Sequence, residues 1–423
     1  MAADVVRGVP MARPGFGVRP ARARRASTAA LALSMALGAL VMAGCDWTQL
    51  GAGAGRAYNN PREAQLTAAT VDTLHEVFSV PVGLTEPIIV GSSGYTTLHD
   101  GFGGSATVEA WNAGTGVGRW SVPLLDAART LTGVVSAGGH LIVAVLGTDG
   151  ITQVSALSRV DGAVIWEKDL PGTSNRLGQY LAVIDGQVVL TRYRTVNGDP
   201  LTGTTEVAAL TIDTGTMTWS RNVTGLGTAL GALSRYVVVS HALAAAGARS
   251  QIDVLAIADG STVWTRGGSP EASLSAQMAA GQRLFTFGTI EAASSDHPII
   301  FDVANGTLLW EGSASGVSAP RASTDRVAVS VDVNVTALDT ATGAVRWSVP
   351  APGDPVSAPT IAGSLVYVVA EGGSGSALHA YDLSTGDEVA DVPVAGSSLY
   401  TPVVANGRVY LSDGSVLHAY APA

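Results

Sequence analysis

Beyond residue 60, apolar residues recur in short alternating runs, and nowhere do they hold a sustained helical spacing. Typical runs are "HLIVAV" (140–145), "QVVLTR" (187–192), "RLFTFG" (283–288), "RVAVSV" (326–331), "LVYVVA" (365–370) and "RVYLSD" (408–413). Most follow a pair such as Gly138-Gly139, Asp185-Gly186 or Asn406-Gly407. Such pairs supply the positive φ angles that two-residue hairpin turns need. The pattern predicts an all-β chain of many short antiparallel strands.

The strands repeat. Six segments place a Trp four residues after a turn Gly, ending at Trp120, Trp166, Trp219, Trp264, Trp310 and Trp347. A seventh, "LHAYDLSTGDEVA", keeps the turn and puts Ala390 in the Trp position. The intervals are 46, 53, 45, 46, 37 and 43 residues, the length of one four-stranded propeller blade. A Pro opens the innermost run in "TEPIIVG", "SAPRAST", "SAPTIAG" and "YTPVVAN", a position where it removes no ladder hydrogen bond. The C-terminal "TPVVANGRVYLSDGSVLHAYAPA" supplies three strands and stops. Residues 73–82, with Phe78 in the Trp position, are expected to provide the fourth and close an eight-bladed β-propeller, which leaves no open sheet edge at either end of the chain. Seven blades is the alternative.

The pattern Ala-x-Asp-x-x-Thr-Gly-x-x-x-Trp, intact at Ala337, Asp339, Thr342, Gly343 and Trp347, resembles the PQQ-like β-propeller repeat over roughly residues 70–423. That family includes quinoprotein alcohol dehydrogenases and the BamB-like lipoproteins of outer-membrane protein assembly. The resemblance implies that Trp120, Trp166, Trp219, Trp264, Trp310 and Trp347, with Phe78 in the closing blade, are structural docking residues, each indole NH held by a backbone carbonyl of the neighbouring blade. Physics agrees, since an indole recurring once per blade buries a large apolar area and needs one hydrogen-bond acceptor. For enzymatic members it implies a pyrroloquinoline quinone, a calcium held by carboxylate and amide groups, and a disulfide between adjacent cysteines. This chain has one cysteine, Cys45, and no recognisable calcium ligand set, so PQQ and calcium remain possible without support and no catalytic, cofactor or metal residue is assigned.

Composition adds an address. Residues 22–45, "RARRASTAALALSMALGALVMAGC", run from an Arg cluster through an apolar core to small residues before Cys45, the layout of a secretory signal. The ending Val41-Met42-Ala43-Gly44-Cys45 resembles a bacterial lipobox, which implies cleavage before Cys45 and its lipidation. Translation starting at Met11 gives a more usual leader length. The expected organisation is therefore a signal peptide (1–44), a lipidated Cys45 with a flexible tether (45–65), and the propeller (66–423). Residues 1–44 hold six of the 24 basic residues and one of the 34 acids, so the remainder carries 18 basic and 33 acidic groups, a net of −15. An acidic body argues against nucleic acid as a partner.

Other chemistry is sparse. None of the seven histidines pairs with another at metal-ligand spacing, and no Gly-x-Ser-x-Gly elbow occurs. The repeat is broken by long insertions at 192–206, 241–251 and 289–298. Read as loops near the channel mouth, they make Arg192, Tyr193, Arg194, Asp199, His241, Glu291 and His297 the candidate binding residues. The expected function is a monomeric, non-catalytic scaffold, lipid-anchored on the extracytoplasmic face of the cell membrane or outer membrane and binding another envelope protein or polymer. The alternatives are a PQQ-dependent dehydrogenase and a sensory or polysaccharide-binding propeller. The docking assignment has a direct test: Trp347→Ala should lower unfolding free energy by about 3–5 kcal/mol, as buried aromatic truncations do, and a near-neutral denaturation curve would refute it.

Overall fold

The computed structural model describes residues 45–423 except 84–85, 101–102, 173, 175, 197–198, 243–249, 268–272, 291–295, 313–317, 354–355, 373–374 and 397–399. The expected signal peptide and lipobox up to Gly44 lie outside the described residues. Antiparallel strands form eight four-stranded blades. Blades 1–7 span 88–131, 135–170, 176–224, 226–267, 273–311, 322–350 and 360–394. Blade 8 takes Val403–Ala405, Arg408–Ser412 and Val416–Ala421 from the C-terminus and His75–Pro81 as its outer strand, so the chain closes the ring on itself. Two short 3-10 turns, Leu50–Ala52 and Val71–Thr73, are the helices among the described residues, and no helix among these residues is long and apolar enough to cross a membrane.

Four antiparallel strands per blade give the ring two distinct ends. One end, the turn face, carries the inner-to-second and third-to-outer turns. The other, the connection face, carries the second-to-third hairpins and the blade-to-blade links. At the turn face both residues of Gly138-Gly139, Asp185-Gly186 and Asn406-Gly407 have positive φ, so the strands leave each turn with the twist the sheet requires.

Blades meet through one repeated contact. Each Trp lies at a register shift and faces a third-strand residue of its own blade, which is Ala for Trp120, Trp166, Trp219 and Trp347. The indole reaches past its own sheet and covers the turn glycine of the next blade. Trp166 covers Gly215, Trp219 covers Gly260, Trp264 covers Gly306 and Trp347 covers Gly386. Each of these four indoles donates to the carbonyl three residues before the covered glycine, at 2.7–2.9 Å: Ile212, Ile257, Val303 and Leu383. The turn glycine is thus required twice. Its φ lies in the left-handed region, +78° at Gly386, and a Cβ there would sit 2.7 Å from the Trp347 ring.

The exceptions have local causes. Trp120 covers Gly162, but the carbonyl it would use, Arg159 O, accepts from the Tyr95 hydroxyl instead, and the Trp120 NH has no partner. Phe78 lacks an NH, and Tyr410 supplies the equivalent bond to Ala113 O at 3.0 Å while the Phe78 ring covers Gly116 and meets Trp111 edge-on. Ala390 follows from ring closure. Its neighbour, blade 8, has no third-to-outer turn and so no glycine to cover, because its outer strand is His75–Pro81, from ahead of blade 1 in the chain. Leu66, Val71 and Leu74 pack in that space instead.

The double requirement is testable by comparing two glycines. Gly386→Ala meets both an unfavourable φ and the Trp347 ring, about 2–4 kcal/mol together. Gly186→Ala, at φ +73° with nothing within 4 Å, meets only the first, about 1–2 kcal/mol. Equal losses in chemical denaturation would show that the indole does not press on the turn.

Candidate functional site

The innermost strand of a blade has one unpaired edge facing the central channel, and buried backbone groups there need partners. The protein supplies them from residues 46–63. Trp47 exchanges both backbone bonds with Ile89 of blade 1, and Ser136 N of blade 2 donates to Thr48 O. The Gln49 side chain acts as a strand neighbour for blade 3, accepting from Val183 N at 2.8 Å and donating to Val183 O at 3.0 Å. Ala54 packs against the core shared by blades 3 and 4. Gly55 O, Ala57 O and Tyr58 O then accept from Ala279, Ser323 and Ile361 of blades 5, 6 and 7. Asn59–Asn60 pairs in parallel with Ile361–Ala362, and Asn60 Nδ2 donates to Val404 O of blade 8. The segment makes one circuit of the channel as an internal collar.

The expected flexible tether is therefore corrected. Its Gly/Ala-rich composition, "GAGAG", is that of a segment that must bend around a tight circle close to other backbones. Gly51, Ala52, Arg56 and Tyr58 all have positive φ, and Trp47 is wholly buried.

The collar is latched by one acid. Glu86, on the link from blade 8 to blade 1, accepts from the Tyr58 hydroxyl at 2.7 Å and from Gly51 N at 3.2 Å. Burial pushes its carboxyl above the usual carboxylate range, opposed by the hydrogen bonds from Tyr58 and Gly51. Burial and the Glu86 charge likewise raise the Tyr58 phenol well above its ordinary value. Both line a cavity of about 780 Å3 with Thr97, Asp100, Thr132 and Tyr400, on the connection face where blades 8, 1 and 2 meet. A comparison of repeats could have found Glu86. In "TEP" it stands where the other Pro-opened strands have Ala319, Ala358 and Thr401.

The residues singled out on the long insertions are placed differently from expectation. Arg192, Tyr193 and Arg194 lie in the second strand of blade 3, Gln187–Val196, and Asp199 begins its third, Asp199–Thr211. His241 falls in Tyr236–Ala242 and His297 opens His297–Asp302. In blade 3 the insertion lengthens the hairpin, because its alternating Arg, Thr and Val positions continue the strand period to Val196; most of 241–251 and half of 289–298 lie outside the described residues. Glu291 lies outside the described residues.

Most of these side chains face inward. Arg192 is fully buried; its Nε donates to Glu206 Oε2 at 2.7 Å and its guanidinium also holds Pro171 O and Gly172 O. Arg194 donates to the same Glu206 oxygen and to Pro171 O. The three charges fasten the link from blade 2 to the tall hairpin of blade 3. Tyr193 is buried. His241 is buried between Thr224 O and Asp253 Oδ2, at 2.6 and 2.9 Å. Burial alone would raise Asp253, but hydrogen bonds from His241, Thr265 and Gln251 hold it below its usual range. His297 is also buried and sits 2.7 Å from Glu311 Oε1. These are internal pairs within and between strands. Among the described residues no three His, Cys, Asp or Glu side chains gather as a metal site would require.

Cys45 stands where the collar begins. Its Sγ donates to Arg62 O at 2.8 Å, and its carbonyl accepts from Asn60 Nδ2. Next to it, Asp46 Oδ1 accepts from Gly91 N, in the inner turn of blade 1, at 2.8 Å. Cys45 is thus on the turn face, opposite the cavity.

Comparison with curated proteins finds no match. Among solved structures, BamB from Moraxella catarrhalis is 18% identical with a TM-score of 0.56, covering 82% of this chain and 97% of that one. The quinohemoprotein alcohol dehydrogenase from Comamonas testosteroni is 14% identical with a TM-score of 0.62, covering 89% and 80%. The computationally designed Ika8 protein is 19% identical with a TM-score of 0.59, covering 82% and 98%. At such identities these likenesses show the fold alone. The family model described as outer membrane protein assembly factor BamB matches residues 104–286 and 296–380. That match spans more than half of the chain, and the protein belongs to this family of PQQ-like β-propellers.

Proposed function

We propose that the protein is a non-catalytic binding propeller, lipid-anchored through Cys45 on the extracytoplasmic side of a membrane, that holds another envelope protein. The observation that carries this reading is the collar. The channel of a ring is its natural concave site for a small molecule, and here the protein's own residues 46–63 occupy it and bond to the inner strands. Among the described residues no three His, Cys, Asp or Glu side chains gather to hold a calcium beside a quinone. The single cysteine cannot form a disulfide within the chain, and Glu206, Asp253, Glu311 and Glu86 are committed to Arg, His or Tyr partners. Fold likeness to quinohemoprotein dehydrogenases supports the alternative only at the level of architecture.

The family relationship favours a partner in envelope protein assembly where the cell has an outer membrane; in a cell with one membrane, the partner is another envelope protein or a polymer. Affinity capture of the lipidated protein from native membranes in mild detergent should recover a stable partner, and repeated failure to recover one argues against the scaffold. Incubating the purified protein with pyrroloquinoline quinone and calcium should change neither its spectrum nor dye reduction with alcohols or sugars. Turnover in that assay would establish the dehydrogenase instead.

A further inference from the structure

We propose that the turn face of the ring lies directly on the lipid bilayer, with the connection face and its cavity held away from it. The inference rests on the lipidation of Cys45 given above and adds an orientation. It begins from chain length. One residue, Asp46, separates Cys45 from Trp47, whose backbone is bonded to the inner strand of blade 1. Two residues reach at most about 7 Å. An acyl group on Cys45 therefore cannot hang the propeller from a long tether; once the acyl chains enter the bilayer, the end of the ring around Cys45 must meet the headgroups.

The surface at that end suits such contact. Twelve large apolar side chains are exposed among the described residues. Eight of them lie in third-to-outer turns or in the first two residues of outer strands, on the turn face. Val117 and Val160, at the turn tips of blades 1 and 2, are 65% and 87% exposed, and Val164 and Ile165 stand beside them. Leu308 and Leu309 occupy the same place on blade 5. Only Ile151, Val333 and Tyr400 of the twelve belong to the connection face. A soluble turn gains nothing by exposing Val at its tip, so apolar side chains concentrated on one end mark that end as covered. The occupant is argued from Cys45 and from charge. A body of net −15 after residue 44 is repelled by anionic headgroups, so the contact is apolar insertion at the headgroup boundary, adding to the acyl anchor.

The test uses the full lipidated protein, purified and reconstituted into phosphatidylcholine vesicles. With Cys45 acylated, Val160→Cys or Val333→Cys offers a single thiol for an environment-sensitive fluorophore. The probe at 160 should shift to the blue and be quenched several-fold more strongly by nitroxide-labelled lipid than the probe at 333. Equal, water-like signals at both positions on protein that co-floats with the vesicles would overturn the orientation while leaving the anchor intact. A stronger lipid signal at 333 would reverse the orientation. Protein that fails to incorporate palmitate and fails to co-float would overturn the anchor, and the orientation with it.

Discussion

An indole laid over a glycine holds this ring together. The contact joins two demands in one place: the turn needs a residue that accepts positive φ, and the neighbouring Trp needs a floor without a Cβ. The carbonyl three residues upstream then takes the indole proton, so a large aromatic is buried without an orphaned donor. Where the Trp is absent, its duties divide. Phe78 covers Gly116 and Tyr410 makes the hydrogen bond. Tyr95 plays the same part beside Trp120. Tyr367 shares their register, facing Ala380 as Tyr95 faces Ala110 and Tyr410 faces Ala419. Its hydroxyl is buried without a partner, because blade 8 has no third-to-outer turn to offer a carbonyl.

The architecture was legible in the sequence because its cause is periodic. A Gly-to-Trp spacing repeated six times reports a contact made six times, and Phe78 and Ala390 could be placed by register alone. The "SVP" after Phe78 also follows Trp120 and Trp347 in the same frame. The reason for Ala390 was not available, since it depends on what the next blade lacks.

The channel was not legible. Residues 46–63 have no period, because they pass from blade to blade around the channel, and a low-complexity stretch of Gly and Ala reads as a linker when its partners are spread along the whole chain. The long insertions misled in the opposite sense. Polar and charged side chains such as Arg192, Arg194 and His241 suggested a wet loop, whereas Glu206 and Asp253 sit across the ladder to neutralise or hydrogen-bond them. Cross-strand pairing of charges depends on register, and the register of an irregular hairpin is set by a turn that carries no repeat signature.

The collar also governs the order in which the molecule can be made. It precedes every blade in the chain, yet its partners include Val404 and Gly407, 344 residues away in each hydrogen bond, and the strand that follows it pairs with Val416–Ala421. Contacts of such sequence separation are slow to form because loop-closure entropy must be met first. Individual blades are local and can assemble as the chain emerges, but collar and closure must wait for the final residues. Until the collar is in place, the inner edges of the blades already formed stay unpaired. The segment made before any blade is the last to reach its place.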